Sequence, residues 1–179
     1  MGMLNLETKL RHRQERKLLC VAYHEAGHAV AAIVEKRPFR SVTIVPKDDT
    51  LGRCLHFRWL QSFRVESVAD LRTEQRLRSD IITSLAGHIA EKQFSGRNNW
   101  VHSSHDRRAA ADYAAYLVGS DEELAACLKW LWVRTENLVS LYQQQIAALA
   151  SALLTEKTIQ AKRAREIFYA TQESKEGFD

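Results

Sequence analysis

Residues 23–30 read Tyr23-His24-Glu25-Ala26-Gly27-His28-Ala29-Val30, and the spacing of the two histidines decides how the rest of the chain is read. Residues four apart on a helix share a face, so His24 and His28 can direct two imidazole nitrogens at one metal ion. Glu25 lies about 100° round the helix from His24, close enough to reach a metal-activated water without ligating the ion. Val21, Ala22, Ala26, Ala29, Val30, Ile33 and Val34 make the same helix core-facing. Histidines buried there need partners, and a shared cation with a neighbouring base supplies the chemistry of a hydrolase.

Composition frames this reading. At 179 residues the chain is long enough for one domain with a true core, and 45% hydrophobic and 27% charged residues are ordinary for a globular protein. No apolar run reaches the roughly 20 residues of a membrane span, and the basic N-terminus leads into the motif helix rather than a cleavable signal. Cys20, Cys54 and Cys127 form no close pair and are expected to be reduced thiols in a cytoplasmic protein. A net charge of +4 raises the question of nucleic acid. The basic runs Lys9–Lys17 and Arg72–Arg78 carry acidic neighbours and read as solvated helix faces, so no nucleic-acid partner is expected.

The chain reads as mainly α (α+β), with a small β-sheet beside the metal-site helix. A helix is expected over Glu7–Glu35, ended by Pro38. Strands follow at Ser41–Val45 and Arg53–Arg58, with a turn around Gly52. Helices are expected at Val68–Phe94 and Asp106–Leu117, the latter capped by Ser103 or Ser104. Gly119-Ser120-Asp121 breaks the chain before a helix through Leu124, Leu128, Leu131 and Leu138. Ile146–Leu154 and Ile159–Phe168 form the last helices, with Thr155 as an N-cap between them, and the tail frays from Thr171. Residues 1–179 then make one domain: a metal-site core to residue 118, C-terminal helices at 119–170, and the tail at 171–179.

A catalytic zinc takes a third protein ligand and keeps an open position. The extended pattern with Gly and His three and six residues beyond the second histidine is absent, because Ala31 and Val34 stand there. Glu91, His102, His105 and Asp106 are the downstream candidates. Asp106 sits where a loop becomes a helix, and its acid also suits a first helical turn. Glu91 lies inside the preceding helix and could either ligate the metal or support a ligating histidine.

The segment Ala22–Val30 resembles the peptidase domain of the FtsH family of ATP-dependent membrane zinc proteases. So do Ser41–Pro46 with Leu51-Gly52, and Ala86-Gly87-His88-Ile89-Ala90-Glu91, which is similar to that family's Gly-Gly-Arg-x-Ala-Glu. Ser104-His105-Asp106 and Leu153–Ile159 complete the series. The resemblance implies a helical zincin-like peptidase domain holding one zinc per chain through His24, His28 and Asp106. It implies Glu25 as general base and Glu91 orienting a ligand histidine from outside the ligand set. It also makes Arg53, Cys54, Leu55, His56 and Phe57 an edge strand on which an extended polypeptide substrate would pair.

His88 and the stretch Gly119–Asn137 depart from the family pattern, and the 179 residues contain no Gly-x-x-x-x-Gly-Lys loop. The expectation is therefore a stand-alone zinc endopeptidase acting on flexible or unfolded chains without its own ATPase. A homo-oligomer and a separate ATPase partner both stay open. The alternative is a catalytically silent, zinc-stabilised scaffold or interaction module, which would have no use for Glu25.

Overall fold

The fold is seen in a computed structural model that describes residues 2–46, 53–56, 70–97 and 104–176, with side chains omitted for 2–7, 53–56 and 174–176. The metal-motif helix α1 spans Gly2–Val34, starting earlier than the sequence pattern indicates. Its two halves differ: residues 8–18 are exposed, whereas Val21–Ala32 are buried at all but Tyr23. The buried half is the centre of the molecule. Ala22, Ala26 and Ala29 have no exposed surface, and a Cβ added to Gly27 would come within 2.7 Å of Ala86 O and Ala90 Cβ. Small residues thus let α1 and α2 (Leu71–Ser95) approach closely.

The end of α1 is closed by its own backbone. Arg37 N donates to Ala32 O (2.7 Å) and Lys36 N to Ile33 O (3.2 Å), with Lys36 at φ 54°. This is the Schellman arrangement, with lysine where glycine is commoner. The Arg37 guanidinium then meets Asp80 of α2 through two bonds of 2.6 and 3.0 Å, tying the turn to the second helix.

The sheet differs from expectation in both register and size. Strand β1 is Phe39–Thr43, two residues earlier than the alternating run implied, because Phe39 enters the core while Val45 is left half exposed. It pairs antiparallel with β2 (Arg53–His56), with Arg40 bulged between Phe39↔His56 and Ser41↔Leu55. Phe57 and Arg58 lie outside the described residues. A third strand, β3 (Thr158–Gln160), pairs antiparallel on the other side of β1, giving the order β2-β1-β3. Here the sequence reading placed a helix from Ile159, and that was incorrect. A three-residue strand has only one buried position, Ile159, and so shows no period.

Helix α2 begins after Asp70, whose carboxylate accepts from Arg72 N, and ends at Gly96 in the left-handed region. Val68 and Ala69 lie outside the described residues. Helix α3 is Ser104–Ala115, with Ser104 already helical and Ser103 outside the described residues. Ser120 caps α4 (Asp121–Leu141) by accepting from Glu123 N, at the expected break. Helix α5 (Gln143–Glu156) absorbs Thr155, whose hydroxyl bonds back to Ser151 O, so Thr155 is not an N-cap. Lys157 at φ 61° makes the break instead. Helix α6 (Ala161–Glu176) continues past Thr171, where fraying was expected. One hydrophobic core runs from Val21 to Phe168.

If β3 closes the sheet, Ile159→Ala should lower stability by about 2–4 kcal/mol in urea unfolding, as for a fully buried aliphatic residue. A loss below about 0.5 kcal/mol would place Ile159 on the surface instead.

Candidate metal centre

Two turns of α1 present His24 and His28 to α2 and α3. His24 Nδ1 meets Glu91 Oε2 at 3.1 Å, and His28 Nδ1 meets the Thr83 carbonyl at 2.7 Å. Both Nδ1 atoms therefore carry the proton as donors, which leaves each Nε2 with its lone pair facing inward. Those two Nε2 atoms stand 3.1 Å apart, and Asp106 Oδ2 lies 3.1 Å from one and 3.3 Å from the other. The histidines are 8% and 6% exposed.

Three electron-rich atoms that converge this closely, away from water, need a positive charge between them. Two nitrogens held about 2.0–2.1 Å from one tetrahedral zinc stand roughly 3.3 Å apart, so this donor set fits a single zinc ion. Among the described residues, His24, His28 and Asp106 are the group of three whose ligand atoms all lie within 4.8 Å of one another.

Without metal, protons take that role. Burial opposes a charge on His24, but hydrogen bonds to Asp106 and Glu91 and the charge of Glu25 outweigh it and push the pKa up to about 10. Burial also opposes a charge on His28, and the charge and hydrogen bond of Asp106 overcome it and raise the pKa. Asp106 would be raised by burial, yet His28 and His24 hold it far below the usual carboxylate range. Glu25 is buried at 5% exposure, and its charge reaches both imidazoles.

Of the four downstream candidates, Asp106 faces the histidine nitrogens and Glu91 the far side of His24. His105 is exposed on α3, and His102 lies outside the described residues. Residues 53–56 form the edge strand β2, while Phe57 is not described. Sequence reasoning missed Thr83, which acts through a backbone carbonyl that leaves no side-chain signature. Its one clue is position: Thr83 and Glu91 are eight residues apart and so share a stripe of α2.

Two of the departures from the family pattern touch each other. His88 is buried, and its ring lies 5.7 Å from that of Trp132, which α4 supplies from the divergent stretch.

A His-Glu-x-x-His helix completed by a carboxylate from another helix defines a metal-dependent hydrolase site. Residues 10–119 match the family model described as Peptidase family M41, and the chain belongs to that family of metalloproteases. It is similar to the ATP-dependent zinc metalloprotease FTSH 11, chloroplastic/mitochondrial, of Arabidopsis thaliana, with 25% identity over 96% of this chain and 24% of the relative. FTSH 9 of Oryza sativa subsp. japonica, of the same description, is 25% identical over 88% of this chain and 23% of its own length. FtsH 4 of Sphaerobacter thermophilus, also described as an ATP-dependent zinc metalloprotease, is 27% identical over 84% and 28% respectively. The chain thus spans about a quarter of the length of these curated relatives. No helix among the described residues is long and apolar enough to cross a membrane.

The raised His24 and His28 stabilise the metal-free fold fully below their usual value of 6.5, and this contribution is lost at higher pH, for His24 as pH rises through about 10. The lowered Asp106 contributes above its usual 3.8 and is lost as acid protonates it. Chelator-stripped protein should therefore weaken from about pH 6.5 to pH 10 in denaturant melts. Zinc affinity should rise over the same interval, because the imidazoles must shed protons to bind. Affinity independent of pH would contradict the assignment of these donors.

Proposed function

We propose that the chain is a zinc-dependent endopeptidase that hydrolyses flexible or unfolded polypeptides without using ATP itself. The observation that carries this reading is the convergence of His24 Nε2, His28 Nε2 and Asp106 Oδ2 beside the buried Glu25. His24, His28 and Asp106 would hold one zinc per chain, and Glu91 would orient His24 through Nδ1. When bound, zinc supplies Lewis acidity toward water and the scissile carbonyl. Glu25 acts as general base: its carboxylate takes the proton of the attacking water and returns it to the departing amine. Glu25 is buried, which limits exchange of that proton with bulk solvent.

Strand β2 stands at the edge of the sheet order β2-β1-β3, and its pairing among the described residues is to β1 alone. An extended peptide adding to Arg53–His56, and on through Phe57, would be held mainly by its backbone, which gives loose sequence preference. Folded proteins rarely offer a free strand, so the substrate must be flexible or delivered by another protein, such as a separate ATPase or a ring of like subunits. The one hydrophobic core supports reading residues 1–179 as a single peptidase domain. A cytoplasmic setting, in which Cys20, Cys54 and Cys127 would stay reduced, is part of this proposal.

Two experiments test this. Glu25→Gln should keep zinc and lose peptide hydrolysis by about 10²-fold or more, whereas Asp106→Ala should lose both. Elemental analysis and a fluorogenic peptide read the two effects. A wild-type protein that binds zinc but cleaves no peptide would mark a metal-stabilised scaffold instead. In the second experiment, an unfolded casein-type substrate should be cut and a stable folded domain left intact, with ATP making no difference. Stimulation of the purified chain by ATP would overturn the energy-independent reading.

A further inference from the structure

Thr83, Gly87 and Glu91 follow one another every fourth residue along α2, on the stripe facing the histidines of α1. The two ends of the stripe act through hydrogen bonds, to His28 Nδ1 and His24 Nδ1. The middle acts by having no side chain. A Cβ built on Gly87 would lie 2.3 Å from His28 Nε2 and 2.7 Å from both Cδ2 and Cε1. Such separations are far inside van der Waals contact. The ring cannot move aside freely, since it is buried and its other nitrogen is tethered to Thr83 O at 2.7 Å.

Backbone conformation does not explain this glycine. Among the described glycines only Gly96 has positive φ, so alanine at 87 would be conformationally allowed and would favour the helix. The nearest atoms to its missing Cβ all belong to a single imidazole, and the closest is the nitrogen that meets His24 Nε2 and Asp106 Oδ2. Gly27, at the same helix crossing, differs. Its missing Cβ faces Ala86 O, Ala86 C and Ala90 Cβ, none of them in a histidine.

We propose that Gly87 is a positioning residue for metal binding: its bare α-carbon is the seat that sets where His28 Nε2 stands relative to the other two donors. This rests on the metal-site reading above and adds to it a residue that touches neither metal nor substrate. Any side chain at 87 pushes the nitrogen out of the convergence point while leaving all three ligands present.

The test uses the full chain as wild type, Gly87→Ala, Gly27→Ala, His28→Ala and the Gly87→Ala/His28→Ala double variant. Zinc affinity is read by competition with a chromophoric chelator, donor geometry by the visible spectrum of the Co²⁺-loaded protein, and stability by melting the metal-free protein. Gly87→Ala should weaken zinc by about 10–100-fold and alter the Co²⁺ bands. Gly27→Ala, whose clash is with α2 and not with an imidazole, should lower the melting temperature but disturb zinc affinity and the Co²⁺ bands far less than Gly87→Ala does. In metal-free protein the melting loss caused by Gly87→Ala should vanish once His28 is alanine, because the clashing ring is gone.

Unchanged affinity and Co²⁺ spectrum in Gly87→Ala would overturn the proposal. So would an equal melting loss with and without the His28 ring. Should Gly87→Ala fail to fold, a folded double variant supports the seat and an unfolded one overturns it. A wild type that takes up no zinc would sink the metal-site reading, while the melting cycle would still decide whether Gly87 seats the ring.

Discussion

Inward-facing lone pairs on two buried imidazoles impose the constraint from which much of this architecture follows. Polar nitrogens cannot sit in an apolar interior without partners: both Nδ1 atoms donate, to Glu91 and to the Thr83 carbonyl, while both Nε2 atoms and Asp106 converge where a cation would satisfy them. Meeting that demand requires α2 to come close enough for its backbone at Thr83 to reach an imidazole on α1. Such closeness requires Ala22, Ala26, Gly27 and Ala29 on one helix, and Ala86, Gly87 and Ala90 on the other. Helix α3 must then start near residue 104, so that a first-turn aspartate arrives at the open side of the pair. A charge-dense centre and an alanine-rich crossing are two aspects of one solution.

Legibility in the sequence followed the length scale of each feature. The His24/His28 pair was readable because a helix converts a four-residue interval into a shared face. Asp106 was not readable from spacing, since four downstream residues were chemically eligible and only the third helix selects among them; family resemblance supplied the choice. Strand β3 left no trace because three residues with one buried side chain carry no period. Thr83 was hidden for a different reason: it contributes a carbonyl, which every residue possesses. Thr155 looked like a cap by type, but its hydroxyl bonds backward inside α5, as threonine often does within helices.

The family match ends at residue 119, one residue before the Ser120 cap of α4. Helix α4 nevertheless packs on the back of α2, opposite the stripe that holds the histidines. The Trp132 ring lies tilted against His88, Lys92 stands 5.9 Å over the Trp132 ring and 4.0 Å from Glu136, and Gln93 bonds Ser140. The unusual histidine at 88 and the divergent helix are thus one local repacking, made of an aromatic pair on the outer face of the helix whose inner face carries Glu91. The salt bridge is exposed and contributes little, so the contact of the partly buried Trp132 with the buried His88 must dominate.

Strand β1 lies between a strand about ten residues downstream and one more than a hundred residues downstream, with Val42 opposite both Cys54 and Ile159. During synthesis, the hairpin of β1 and β2 and the contact between α1 and α2 have their residues available early. Thr43 finds Thr158 Oγ1 and the Lys157 carbonyl only once those residues, more than a hundred positions later, have left the ribosome. Until then β1 has an uncovered flank, open to a neighbouring nascent chain as much as to its own C-terminal part. The late strand therefore decides when β1 is covered, and a ribosome stalled before residue 158 would display a half-made sheet with a sticky edge.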